Sequence, residues 1–189
     1  MRSIEFFGNE YETDDDHILI KTRAVKAEIN LNFDCFPYDE LEKAASTYEG
    51  CELVYVDHTY HKTSDLADDY EDGIDRSRSR GRVLAWHFEP IEGEIYLLLE
   101  ISKEWPKLTE AIMSGAINAV SMGCTCSTYC SICGQEFDEL DPCPHCPSRI
   151  GSYVGGRLCY DILRNISFYE ISIVPEEASP SACFVEVVG

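Results

Sequence analysis

Residues 118–133 read NAVSMGCTCSTYCSIC and set a serine, Ser121, beside four cysteines, Cys124, Cys126, Cys130 and Cys133. A serine hydroxyl becomes a nucleophile only when a base removes its proton, whereas a thiolate is by itself a ligand for a soft metal ion. The thiols carry the stronger pattern. Cys130-Ser-Ile-Cys133-Gly134 and Cys143-Pro-His-Cys146 are two CxxC units with nine residues between them. A CxxC turn presents two thiolates to one side of an ion, and two such turns complete the tetrahedron that zinc prefers. Gly134 frees the chain to turn sharply after the first pair. Cys130, Cys133, Cys143 and Cys146 are therefore the expected ligands of a structural Zn2+, and Cys124, Cys126 or His145 could each replace one of them. A closed shell leaves no position for water, so the ion would shape an insert over residues 124–147 rather than activate a nucleophile.

The elements that must position these residues are mostly strands. HILIKTRAVKAEINLNF, 17–33, holds strand-like runs without a helical face. FPYDELEKAASTYEG, 36–50, reads as a helix with Pro37 in its first turn, Asp39 and Glu40 on the positive end of its dipole and Gly50 beyond its end. CELVYVDH, 51–58, suits a buried strand, and GRVLAWHFEPIEGEIYLLLEIS suits a hairpin with strands near 82–88 and 94–101. A second helix fits 105–115, opened by Pro106 and closed by Gly115. INAVSMGC follows as a short strand ending at the serine, and RLCYDILRNISFYEISIVP with ACFVEVV supplies a strand-rich final third. About seven strands and two or three helices, without βαβ alternation, predict an α+β domain with a mostly antiparallel, barrel-like core.

Composition narrows the function classes. The 189 residues suit one domain, and a hydrophobic share of 44% is enough for a core. A formal charge of −20 repels phosphate backbones and anionic lipid, which argues against nucleic-acid and membrane partners. The one basic stretch, RSRSRGR at 76–82, follows an acidic run that balances it. No stretch approaches the roughly 20 apolar residues of a membrane span, and the acidic N-terminal segment lacks the apolar core of a signal peptide. A cytoplasmic setting is the expectation, and there ten cysteines point to reduced thiols and metal.

Ser121 has no GxSxG elbow around it, so spacing alone does not make it a nucleophile. Three stretches in order change its reading. LVYVDHT puts His58 at the end of a strand, GAINAVSMGC does the same for Ser121, and FYEISIVPEEASPSA follows as a strand and turn, with GRVLAWHF between the first two. In this order they resemble the prohead (capsid maturation) proteases of tailed bacteriophages, a family related in fold to the herpesvirus assembly proteases. The resemblance runs from about LNFDCFPYDEL to the end, and VSMGC followed by CxxCG is similar to the subgroup with a cysteine-rich insert after the nucleophile.

The resemblance implies Ser121 as nucleophile, His58 as general base and Glu170 as the third member that fixes the imidazole tautomer. It places the backbone N–H groups of Met122 and Gly123 where an oxyanion would form. Thr59 stands where many relatives carry an acid, and His61 lies three residues beyond His58, so the base has an alternative. Relatives of the subgroup often close the metal set with Cys-x-His, which sets Cys143 with His145 against Cys143 with Cys146. The implied substrates are scaffold and major capsid proteins, cut inside the assembling procapsid in the host cytoplasm, and the enzyme itself. A homo-oligomer is left open.

Two other readings compete. VDHTYH has the Asp-His and second His of an HNH-type zinc-ribbon nuclease, in which an imidazole activates water. Both CxxC pairs, however, lie more than seventy residues after the Asp-His pair, and the acidic charge suits DNA cleavage badly. A scaffold or capsid component that keeps the fold without activity is the other.

Overall fold

The computed structural model describes residues 2–49, 51, 54–56, 79–146, 148–175 and 178–189. Strands β1 (Arg2–Phe6) and β2 (Asn9–Thr13) form an N-terminal hairpin. β3 (His17–Lys26) follows, then the two-residue β4 (Asp34–Cys35) and helix α1 (Tyr38–Ala44), which tightens into a 3-10 turn over Ala45–Tyr48. Helix α1 is shorter than the sequence suggests, and Pro37 caps it in an extended conformation rather than joining its first turn. β5 (Val54–Val56) precedes the hairpin of β6 (Gly81–Glu89) and β7 (Glu94–Ser102), whose bounds match the sequence pattern closely. Helix α2 (Pro106–Met113) has Pro106 at its start, where a missing N–H loses nothing.

β8 (Ala119–Cys130) does not end at the serine. It continues through Gly123, Cys124 and Cys126 to the first cysteine of the metal-binding pattern, because its partner is fourteen residues long. A small ribbon of β9 (Tyr153–Val154) and β10 (Arg157–Leu158) leads into that partner, β11 (Asp161–Val174), and β12 (Phe184–Val188) closes the chain.

Two four-stranded sheets face each other. One runs β12-β3-β7-β6, antiparallel throughout. In the other, β11 pairs antiparallel with β8 along one side, while β4 and β5 lie parallel to it on the other. The main core lies between the sheets and includes Ile18, Ile20, Leu97, Leu99, Val120, Phe168, Ile171 and Ile173, with Leu41 and Tyr48 from the α1 segment and Leu108 and Ile112 from α2. The N-terminal hairpin covers the outer face of the first sheet, where Ile4 and Phe6 pack on Leu19 and Leu98.

The fold is α+β and mostly antiparallel, but the sheets do not close into a barrel among the described residues. Their edges meet through single links: the isolated bridge Ala119–Cys183 at one seam, and the Val83 N–H donating to Cys51 O at the other. A closed barrel needs a continuous ladder at both seams. Among the described residues no helix is long and apolar enough to cross a membrane.

Candidate functional site

β8 and β11 position Ser121 and Glu170. In the antiparallel register Ser121 stands opposite Ser172, Gly123 opposite Glu170, and Met122 opposite Ile171. Directly opposed residues share a face, and neighbours along a strand alternate. Val120, Met122, Ile171 and Ile173 thus face the main core, while Ser121, Gly123, Glu170 and Ser172 share the opposite face. Glu170 and Ser172 are completely buried, and Ser121 is half-buried. The Ser172 hydroxyl donates to Glu170 Oε2 at 2.7 Å.

Gly123 is the gap that admits the Glu170 side chain. A Cβ at 123 would stand 2.7 Å from Glu170 Cγ and 2.8 Å from Cδ, and it would meet Oε1 closer still. Contacts that short do not occur between real atoms. The glycine is thus required by close approach, and the carboxyl group lies against the β8 backbone beside the serine's row.

Strand alternation also assigns the N–H groups. Val120 N–H donates away from β11, to Ala182 O. Two residues on, the Met122 N–H points to that same edge, while those of Ser121 and Gly123 point into the ladder. Of the two oxyanion donors that the sequence suggests, Met122 is the one aimed off the sheet. Beyond the link to Ala182 the edge of β8 carries no paired strand among the described residues until Thr128 accepts from the Phe137 N–H.

His58 and His61 lie outside the described residues. The strand that leads to them ends nearby: Val56 pairs with Ile173, which itself faces Val120 across β11. β5 runs parallel to β11, so the chain leaves β5 at the end of the sheet where Ser121 sits.

The cysteines gather at the far end of the same strand pair. Cys130, Cys133, Cys143 and His145 place one ligand atom each within 4.8 Å of all the others. Two of the thiols are met by backbone N–H groups. Burial pushes the Cys130 thiol up, but the N–H groups of Cys133 and Ile132 aim at its sulfur and bring it down to about 7. Cys143 is lowered in the same way, its burial outweighed by the N–H groups of Cys146 and His145. Gly134, at φ +73°, turns the chain so that its N–H reaches Cys130 O at 2.8 Å. His145 Nδ1 is buried without a hydrogen-bond partner among the described residues, an orphan that a metal ion would satisfy.

Three of the four expected ligands therefore come together, with His145 rather than Cys146 completing that quartet. Cys146 belongs to a second group with Cys130 and Cys159. Cys124 and Cys126 fall in neither. Sequence reading missed Cys159, because it belongs to no CxxC unit. It also missed Ser172, although EIS places a hydroxyl two residues after the acid, on one strand face. A comparison with protein-family models, curated proteins and solved structures finds no match.

Proposed function

We propose that this chain is a serine endopeptidase of the prohead-protease type, with Ser121 as nucleophile, His58 as base and Glu170 as the group that orients the base. The observation that carries the reading is the placement of Ser121 and the buried Glu170 on one sheet face, at the end where β5 leads toward His58. In this reading His58 takes the Ser121 proton during attack on the peptide carbonyl and returns it to the leaving amine. Met122 N–H supplies a hydrogen bond to the oxyanion. The β8 edge between Val120 and Thr128, unpaired among the described residues, suits an extended peptide that adds as a strand. Scaffold and capsid proteins in an assembling particle are the proposed substrates.

The metal is proposed to be zinc, held by Cys130, Cys133, Cys143 and His145. The donors are three sulfurs and an imidazole, a set typical of structural zinc and poor for magnesium or calcium. When bound, zinc would hold the loop at the base of β8 in a fixed shape.

The test is co-expression with the cognate capsid and scaffold proteins, wild type beside Ser121→Ala and His58→Ala, read by intact mass. Cleavage by the wild type, lost by at least a hundredfold in both variants, is expected. Equal cleavage by wild type and Ser121→Ala would sink the protease reading. No cleavage by any of the three would favour an inactive component of the same fold.

A further inference from the structure

The donors of the cysteine-rich loop fall into two sets that meet at one atom. Cys130 Sγ belongs to the quartet with Cys133, Cys143 and His145, and also to a trio with Cys146 and Cys159. All three sulfurs of the trio are buried. Cys146 Sγ and Cys159 Sγ are 3.8 Å apart. A disulfide would need about 2.05 Å. Two thiolates each about 2.3 Å from one tetrahedral zinc stand roughly 3.8 Å apart, the edge of the coordination polyhedron.

A fourth donor borders the trio. Asp161 is directly opposite Cys130 in the β8–β11 register, so the two side chains share a face. Its Oδ1 is buried and has no hydrogen-bond partner among the described residues. Three packed thiols alone would read as small apolar side chains. A buried carboxylate oxygen left unsatisfied beside them does not fit that reading, since such a group is costly unless an ion or donor meets it.

We propose that Cys130, Cys146 and Cys159 form a second metal site for a soft divalent cation beside Asp161, and that the Cys130 thiolate bridges it to the zinc of the first quartet. The proposal rests on the reading of that quartet as a zinc site. A shared thiolate between two dications lowers their mutual repulsion and accounts for six clustered Cys and His donors where one ion uses four. Cys146, which the CxxC pattern assigns to the first ion, then serves the second.

Native mass spectrometry of the full chain, purified with zinc in excess, counts the ions. Two are expected in the wild type and one in Cys159→Ser. Asp161→Asn keeps the thiols and should release one ion to a chelator at least tenfold faster than the wild type does. Cadmium NMR of the loaded protein should show each resonance split by the other ion through the bridge, with the splitting lost in Cys159→Ser. A single ion in the wild type would overturn the second site and leave the first standing. No ion at all would overturn both. Two ions without mutual splitting would overturn the bridge.

Discussion

Gly123 and Glu170 act as one unit at the scale of the residue. A buried carboxylate side chain occupies the space that a Cβ would fill, so neither position can change alone without cost. Gly123→Ala is expected to destabilise the fold by about 1–3 kcal/mol, since Glu170 is enclosed and cannot swing aside. Chemical denaturation should show this as a lower midpoint with an unchanged slope. Glu170→Ala in the same chain should recover part of the loss, because the clash vanishes with the carboxylate. An additive double variant would mean that the two side chains do not compete for one space. The sequence showed the glycine and the acid 47 positions apart, as SMGC and YEIS, without any sign that they meet. Their encounter depends on register, which no local pattern encodes.

Elements add a charge pattern that the sequence hides equally well. Glu94, at the start of β7, is only 3% exposed and accepts a 2.7 Å hydrogen bond from the Tyr96 hydroxyl, while Lys26 Nζ of β3 stands 3.2 Å away. Burial and that hydrogen bond push the Tyr96 phenol up to about 12. The folded chain therefore holds this proton at pH values where the unfolded chain, near pH 10, gives it up. Between about 10 and 12 the unfolded state binds fewer protons, and stability falls as pH rises. Below pH 10 the contribution is complete. Tyr96→Phe should flatten this alkaline decline in a series of melting curves. A decline as steep as in the wild type would remove Tyr96 from its origin. The β6–β7 hairpin around these residues was legible because its alternation and turn are local. The full length of β8 was not, since Ser and Cys in CTCSTYC carry weak strand preference and only pairing with β11 draws them into extended form.

On the scale of the whole molecule, two centres share one strand pair. The cysteine cluster sits where β8 ends and β11 begins, and the Ser121 row sits at the opposite end. The cluster, Cys130 included, packs apart from the main core, with Ile132, Ile150 and Val154 around it. Removing metal with a strong chelator should therefore expose amides of residues 130–159 to hydrogen exchange and leave those of β3 and β7 protected. Uniform loss of protection would show that the loop and the core unfold together. The paired CxxC spacing made the cysteine cluster legible from sequence, because each pair is a local device. The grouping of His145, and not Cys146, with Cys130, Cys133 and Cys143 was not, since both follow Cys143 within three residues and only the packed loop decides which one stands with them.

The ladder between the two centres slips by one residue twice, between Arg164 and Ser167 and again between Phe168 and Glu170. Asn165 marks the first slip with a positive φ of 53°, and Glu40 of α1 holds its N–H at 2.7 Å. Each slip exchanges the inside and outside of β11 relative to β8. Length, in this segment, is a form of information. Deleting one residue there would erase a single slip and turn Ile171 toward the row of Ser121, with Glu170 and Ser172 driven into the apolar interior. A substitution here leaves the register standing, but an insertion or deletion would rewrite the outer face in one step. A lineage that keeps Ser121 beside Glu170 should therefore vary in letter here and stay constant in count.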